Sequence, residues 1–424
     1  MKFVQIGAHT GNDDAFEVIK NYDIELGILV EPLPHLIPLL EESYKEIPNV
    51  IIENKAISVD NSDSISFFYD TKDPITELSS LNKEHLLIHE VKEEHIQEIK
   101  IPSVSLESLL DKYEITELDY LFVDTEGFDF AILKSFNFHK YKIKNVIFED
   151  AHTDGPFLRG INYNKLVSKL ESEGYKVEKI NASNTKATLN TKMTIIYRTS
   201  DSGYKKTKPE YINNENCLKN AINAFPLNKF NWVVIADNVA DENKPLIEKY
   251  IASSKIHYVS MGDGAKTFNY ALDYALNNLN DEEIVYFLEN DYLHKPGSYQ
   301  ALIEGINFGS SFVSLYDHPD KYLDPSMGGN PYCSGGAEDT RVYLSYSTHW
   351  KVTNSTTMTF ASKISTLKRT EHILRKWTSG SHPDDFSMFI DLRNDNELLI
   401  TPIPGFSTHG ETFWLSPLVN WNEI

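Results

Sequence analysis

Cysteine is almost missing from this chain: Cys217 and Cys333 are the only two among 424 residues. A disulfide framework is therefore excluded, and a reducing compartment is expected. Basic residues are outnumbered, 40 against 62 acidic, for a formal net charge of -22. That balance speaks against nucleic acid or an anionic membrane as a partner held through a general basic surface. No apolar run approaches a membrane span, and Met1 leads directly into a strand pattern with no apolar leader. The expectation is a soluble, cytoplasmic protein. Internal repeats and low-complexity linkers are also lacking. Apolar material is ample at 41%, and 424 residues exceed one ordinary core, so two domains are expected.

The first informative stretch is Phe3-Val4-Gln5-Ile6, a short apolar run of the kind that forms a buried parallel strand. It breaks at Gly7 and Gly11, and Asp14-Ala15-Phe16-Glu17-Val18-Ile19 reads as the start of a helix. A strand, a glycine turn and a helix start bring backbone N–H groups close to a ligand. A second strand, Leu26-Gly27-Ile28-Leu29-Val30, ends in Glu31, a position suited to gripping ribose hydroxyls. The loop lacks the G-x-G-x-x-G form that cradles a pyrophosphate. A nucleoside without phosphates fits better, which points to S-adenosylmethionine; the competing role for Glu31 is to cap or solvate the strand end.

Alternation of strand and helix continues. Asn49-Val50-Ile51-Ile52-Glu53-Asn54-Lys55-Ala56-Ile57 gives a third strand, with a polar exit at Asn54. Glu84 to Lys100 is charged and reads as a helix or an insertion; His85 and His89 have i,i+4 spacing, which suits a solvated helix face better than a metal site. A helix is expected from Ser103, with Ser105 as its cap. Leu118 to Val123 is a buried strand that delivers Asp124, Glu126 and Asp129 around Gly127. A fifth strand ends at Glu149-Asp150 with His152 just beyond, and the runs 175–180 and 185–189 suit a closing antiparallel hairpin.

Gln5-Ile6-Gly7-Ala8-His9-Thr10-Gly11, Val30-Glu31-Pro32, Asn54-Lys55-Ala56-Ile57 and Asp124-Thr125-Glu126-Gly127 occur in this order. Together they resemble the FkbM-type S-adenosylmethionine-dependent O-methyltransferases over residues 1–190. The resemblance implies a Rossmann-like class I methyltransferase sheet. It implies a cofactor site of Gly7, His9, Gly11, Glu31, Asn54 and Asp124. Glu126, Glu149 or His152 would assist deprotonation of an acceptor hydroxyl. The residues do not select among those three.

A second α/β domain is expected over 191–424. Its first strand, Met193 to Arg198, runs into the polar loop Arg198-Thr199-Ser200-Asp201-Ser202-Gly203, suited to a nucleotide pocket. Trp232 to Ala236 leads to Asp237, another position for a base or ribose. Ile284 to Leu288 runs straight into Glu289-Asn290-Asp291, where carboxylates at a strand end hold Mn²⁺ or Mg²⁺ through oxygen, unless they merely solvate it. This half resembles the nucleotide-sugar-dependent glycosyltransferases of the A-type fold, with Glu289-Asn290-Asp291 in the place of their Asp-x-Asp motif. Glu stands where that motif has its first Asp, so Asp291 is the safer ligand. The resemblance further implies Asp384 and Asp385 as a catalytic acidic pair, with helix capping as the rival role. It also implies His409 as a last metal ligand, against a plain surface histidine, and Arg198, Asp201, Asp237 and Asn290 around the nucleotide sugar. Tyr343, Tyr346, Trp350, Trp377 and Trp414 are candidates to stack on sugar faces, and the glycines at 328–336 suggest a mobile loop. The fold class expected is thus α/β in two domains, and the function a bifunctional glycan-building enzyme. It would use S-adenosylmethionine, a nucleotide sugar donor and a glycan acceptor. A single active domain beside a binding module, or a non-catalytic scaffold, are the competing readings.

Overall fold

The computed structural model describes residues 1–424 except Asn61, Pro156 and 202–206. The chain divides into two compact units, Met1–Asn190 and Thr191–Ile424.

The first unit is built on β1 (Lys2–Ile6), α1 (Asp14–Ile19), β2 (Leu26–Val30), α2 (Ile37–Tyr44) and β3 (Val50–Glu53). A side layer follows: β4 (Ala56–Ile57), β5 (Ser64–Asp70), α3 (Lys83–Ile88) and β6 (Ile96–Val104). The main sheet then resumes with α4 (Leu106–Lys112), β7 (Glu117–Val123), α5 (Asp129–Ser135), β8 (Lys142–Glu149), α6 (Ile161–Ser172), β9 (Tyr175–Lys179) and β10 (Asn184–Leu189). Strand order is β3-β2-β1-β7-β8-β10-β9, parallel from β3 to β8, with β10 alone running against the rest, antiparallel to both β8 and β9. Alternate residues of each central strand serve opposite faces. Val4, Ile28, Leu121 and Val146 pack under Leu109, Leu133 and Leu170, whereas Phe3, Leu29 and Phe122 meet Ile19, Leu40 and Tyr44. Burial on both faces explains why these strands are near-continuous apolar runs. The order reverses between β1 and β7, so a crevice opens beyond their carboxyl ends.

Two local expectations change here. The run 50–57 is not one strand: it turns at Asn54-Lys55, and β4 leaves to pair with β6. Ser103 and Val104 end β6, and the helix starts only at Leu106, capped by the Ser105 hydroxyl, which accepts from Ser108 N at 3.1 Å.

The second unit contains β11 (Met193–Ser200), α7 (Asn214–Ala224), β12 (Asn231–Asp237), α8 (Lys244–Glu248), β13 (Ile256–Val259), α9 (Gly264–Asn278) and β14 (Ile284–Glu289). Then come β15 (Tyr292–His294), α10 (Ser298–Asn307), β16 (Phe312–Val313), β17 (Val342–Leu344), β18 (His349–Val352), β19 (Phe360–Lys363) and α11 (Ile364–Trp377). The unit closes with α12 (Asp385–Asn394), β20 (Leu399–Ile403) and β21 (Ser407–His409). Its sheet runs β13-β12-β11-β14-β19-β16-β20-β18-β17. The four strands β11 to β14 are parallel, and antiparallel pairing begins at β19. A separate ribbon pairs β15 with β21, setting Tyr292 opposite His409. The two-part α/β class expected from the sequence is the one observed: a mostly parallel seven-stranded sheet, then a mixed nine-stranded sheet.

Candidate active sites

In the first unit a cavity of about 310 Å³ lies over the carboxyl ends of β1, β2 and β7. Gly7, His9, Glu31, Asp124 and Glu126 line it, and Leu33, Ala56, Ile57 and Phe67 give it an apolar side. Glu31 is buried; its Oε2 accepts from His9 N at 2.8 Å and its Oε1 from Leu33 N at 2.8 Å. A carboxylate offers about four acceptor positions, so two remain for a vicinal diol. Burial pushes the Glu31 carboxyl up to about 7, against these two bonds. An apolar slot beside a carboxylate with spare lone pairs fits the adenosine of S-adenosylmethionine. Asp124 is exposed within the cavity. Desolvation by the surrounding protein, with Asp129 and Glu126 nearby, raises its pKa well above the usual carboxylate range.

The glycines serve packing. Gly7, at φ 79°, sits where a Cβ would lie 1.7 Å from Asp124 O. Gly11 does not line the cavity; its Cβ would strike Leu40 and Tyr44 of α2 at 2.8 Å, so this glycine seats the loop on the helix. Asn54 is likewise off the cavity, its amide donating to Glu31 O and Pro32 O at 2.9 Å to brace that loop.

Glu126 lines both this cavity and an adjoining pocket of about 200 Å³ that holds His85 and His152. His85 is buried rather than solvated, contrary to the expectation for this helix, because α3 turns its His85 and His89 toward His152. His152 Nε2 lies 3.5 Å from Glu149 Oε1 and 3.8 Å from Glu126 Oε2. Glu149 lines neither pocket; burial, then the charges of Asp124, Asp129 and Glu126, push its carboxyl up to about 10.

In the second unit a larger cavity, about 1,100 Å³, spans the carboxyl ends of β11, β12 and β14. Arg198, Asp201, Asp237, Glu289, Asn290, Asp291, Asp385, His409 and Trp414 all line it. The β15–β21 ribbon delivers His409, whose Nε2 lies 3.3 Å from Asp291 Oδ2. Lys208 Nζ lies 2.9 Å from the same oxygen. His409 and Lys208 thus both approach the same carboxylate oxygen of Asp291.

Several expected donor-binding groups are committed within the protein. Arg198 is buried, its guanidinium 3.1 Å from Glu289 Oε1 and donating to Met358 O at 3.1 Å, so it braces Glu289 rather than reaching a diphosphate. Asp237 accepts from Met261 N at 2.6 Å, Gly262 N at 3.1 Å and Thr267 Oγ1 at 3.0 Å; its part is to hold the loop before α9. Asp201 accepts from Ala240 N at 2.7 Å and Asn243 Nδ2 at 2.9 Å. Ser202 and Gly203 of the expected loop lie outside the described residues. Asn290 Nδ2 donates to Asn214 Oδ1 at 2.9 Å.

The acidic pair separates by role. Asp384 is the N-cap of α12, accepting from Ser387 N at 3.0 Å, and does not line the cavity. Asp385 does, and burial together with Glu289 raises its carboxyl to about 6. Of the aromatic candidates, Trp350 is fully buried in the core and Trp377 donates to Asp391 Oδ2 at 2.7 Å. Tyr343 and Tyr346 lie off the cavity, leaving Trp414. The glycine-rich run is pinned: Asn330 Nδ2 donates to Asn354 Oδ1 at 3.2 Å, and Gly335 N to Asp324 Oδ2 at 2.8 Å. Sequence reasoning missed Lys208 and set aside His85 and His89, whose i,i+4 spacing was the available signal.

The first unit is therefore a class I methyltransferase-type sheet with a nucleoside-sized cavity at its switch point. Residues 5–177 match the family model described as the Methyltransferase FkbM domain. No curated protein sequence matches significantly. Among solved structures the chain is similar to methyltransferase FkbM from Methylobacillus flagellatus KT (12% identity, 44% of this chain and 43% of that one, TM-score 0.27). It is also similar to GalNAc-T7 with UDP, GalNAc and Mn²⁺ (12%, 53% and 45%, TM-score 0.36). A third similarity is to CMP:2-keto-3-deoxy-manno-octonic acid synthetase complexed with CTP (10%, 51% and 92%, TM-score 0.30). The chain thus spans 45% of the GalNAc-T7 chain it matches. At these scores the likenesses are general, and each site is read from its own geometry.

Among the described residues no helix is long and apolar enough to cross a membrane.

Proposed function

We propose that the chain is a two-headed glycan-building transferase. The first unit would methylate a sugar hydroxyl from S-adenosylmethionine, and the second would transfer a sugar from a nucleotide sugar to a glycan acceptor. One observation carries the reading: in each unit a cavity opens beyond the carboxyl ends of the parallel strands, with converging acidic groups at its mouth.

In the methyl-transfer site Glu31 would hold the ribose diol, Leu33 and Phe67 would flank the base, and Asp124 would lie at the open end. The sulfonium of the cofactor supplies the electrophilic methyl group. Catalysis then needs in-line positioning of the acceptor oxygen and an outlet for its proton. In the sugar-transfer site Asp291, His409 and Glu289 would hold Mn²⁺ or Mg²⁺. When bound, that ion would neutralise the charge of the leaving diphosphate. Asp385, which lines the same cavity, would receive the acceptor proton. A second reading, nucleotide binding without turnover in this unit, is favoured by the Lys208–Asp291 pair, which already satisfies the carboxylate.

Thermal shift separates these readings. S-adenosylhomocysteine alone should stabilise one transition, and one of UDP, GDP or CDP with Mn²⁺ should stabilise another. At ~100 times the dissociation constant each shift corresponds to about 2.7 kcal/mol. No response to S-adenosylhomocysteine would remove the methyl-transfer assignment. A nucleotide shift indifferent to Mn²⁺ would favour the second reading.

A pH dependence follows from Glu31. Its raised folded-state pKa means that ionisation costs the first unit stability as pH rises through about 7. A ribose held by the carboxylate form reverses this preference, so the affinity for S-adenosylhomocysteine should be flat above that pH. Below it, affinity should fall by up to about tenfold per pH unit. Calorimetric titration across this range checks it. Glu31→Gln should weaken binding and remove the step, which separates Glu31 from Asp13 and Asp124 in the same cavity.

A further inference from the structure

The pocket behind Glu126 has a composition that methyl transfer by itself does not require. Ring nitrogens of His85, His89 and His152 all lie within 4.8 Å of one another, and so do ligand atoms of Glu126, Glu149 and His152. The rings pack with centroids 4.6, 4.9 and 5.4 Å apart. Three segments far apart in sequence build the cluster: α3, the turn after β7 and the end of β8.

Several of these polar atoms are buried without a hydrogen bond: Nε2 of His85, Nε2 of His89 and Oε2 of Glu149. His85 Nε2 comes within 3.2 Å of Glu126 Oε2 yet makes no aligned hydrogen bond with it. A buried polar atom left unsatisfied is destabilising, and several in one small pocket indicate a missing shared partner. Hydrophobic packing does not supply one, since the pocket wall is Ser80, Asn82, Thr153 and glycine as much as Ile88 and Phe128. Glu126 is held at φ 52°, its carbonyl accepting from Ser80 Oγ at 3.1 Å, so the backbone that aims this carboxylate is itself strained and braced.

We propose that this cluster binds a divalent transition-metal ion of the zinc class. His85, His89 and His152 would supply imidazole nitrogen, and Glu126 with Glu149 would supply oxygen. Imidazole with carboxylate is a donor set that such ions favour over Mg²⁺ or Ca²⁺. Ligand atoms around tetrahedral zinc are about 3.3 Å apart, so binding draws the side chains inward. It also displaces the long 3.3 Å contact from Phe157 N to His152 Nδ1 if the ring turns.

The position suggests what the ion does, and this part rests on the methyl-transfer reading. Glu126 and Phe128 line both the metal pocket and the cofactor cavity. An acceptor hydroxyl bound to the ion would lose its proton to water in the cavity. Its oxygen would then form the bond to the methyl carbon as the carbon–sulfur bond breaks. The sulfur keeps that electron pair and leaves as the neutral thioether of S-adenosylhomocysteine.

The test uses the full chain carrying Asp291→Ala, which silences the acidic site of the second unit. Protein stripped with a chelator is dialysed against Zn²⁺ and its metal content measured, with Co²⁺ absorption as a second probe. One ion per chain is expected, with His85→Ala and His89→Gln each weakening it by about a hundredfold. Retention of the ion at unchanged affinity in both variants, or no ion at all, overturns the site. If His85→Ala fails to fold by circular dichroism, the half-buried His89→Gln decides alone. S-adenosylhomocysteine binding is measured in parallel on the same samples. Zinc bound without it sinks the methyl-transfer reading and leaves the metal site standing; the converse sinks the metal site alone. Methyl transfer unaffected by stripping would overturn the ion's part in the reaction.

Discussion

Asp291→Ala is expected to lower sugar transfer by about a thousandfold while leaving binding of S-adenosylhomocysteine unchanged. Asp291 lies in the two-residue step between β14 and β15, and it is buried to 9% exposure. Its carboxylate is the meeting point of His409 at 3.3 Å and Lys208 at 2.9 Å. Alanine removes the group that both approach. An ion bound there would be left with His409 and Glu289 at most, and Glu289 is already paired with Arg198 at 3.1 Å. A nucleotide diphosphate entering the cavity would meet Lys208 with no acid to balance it, so nucleotide affinity should fall less than turnover does. The measurement is release of nucleoside diphosphate from a panel of nucleotide sugars, with and without Mn²⁺. A variant that retains wild-type, metal-stimulated turnover would place the ion elsewhere. Wild-type turnover indifferent to chelator would instead make Lys208 the standing counter-charge.

The parts legible in the sequence share one physical property. Strands β2, β12 and β14 are almost wholly apolar and buried, β1 and β7 carry mostly apolar runs interrupted by Gln5 and Asp119, and after β2, β7, β12 and β14 the run ends at a carboxylate. Those endings, Glu31, Asp124, Asp237 and Glu289, mark the crevices directly. The side layer β4–β6 was less legible because β5 and β6 are half-exposed, and their side chains carry little apolar alternation. Contacts between distant segments were not legible at all. Nothing near Gly11 in the sequence announces Leu40 and Tyr44, so a packing glycine looks like a ligand-facing one. The saturation of Asp237 depends on Met261, Gly262 and Thr267, and that of Arg198 on Glu289 and Met358. His85 reads as a surface residue because its neighbours in sequence are charged; only the fold brings His152 to it. His409 reached its place through the β15–β21 ribbon, which the sequence hints at only by resemblance.

Gly7→Ala should strongly destabilise the first unit. Two costs coincide there. At φ 79° an L-residue pays about 1–2 kcal/mol for the left-handed backbone. The added Cβ would also lie 1.7 Å from the Asp124 carbonyl oxygen, which belongs to backbone and cannot swing aside. Relief requires the ends of β1 and β7 to part, which strains Asp124 N to Ile6 O at 3.0 Å and Gly7 N to Val30 O at 3.0 Å. Overpacking of this kind costs about 1–3 kcal/mol or more, so a total near 4 kcal/mol is expected. For a unit of this size that lowers its transition by roughly 10 °C. Scanning calorimetry of the full chain should show this on one transition, which S-adenosylhomocysteine no longer shifts. Gly155→Ala is the control: φ is 127°, but nothing lies within 4 Å of the added carbon, so it carries a backbone cost without a clash. If both variants melt alike, the strand ends separate freely and the crevice is looser than its geometry implies. If Gly7→Ala falls well below Gly155→Ala, the glycine after β1 is required by its strand neighbour before any cofactor arrives, and the ligand inherits a shape set by packing.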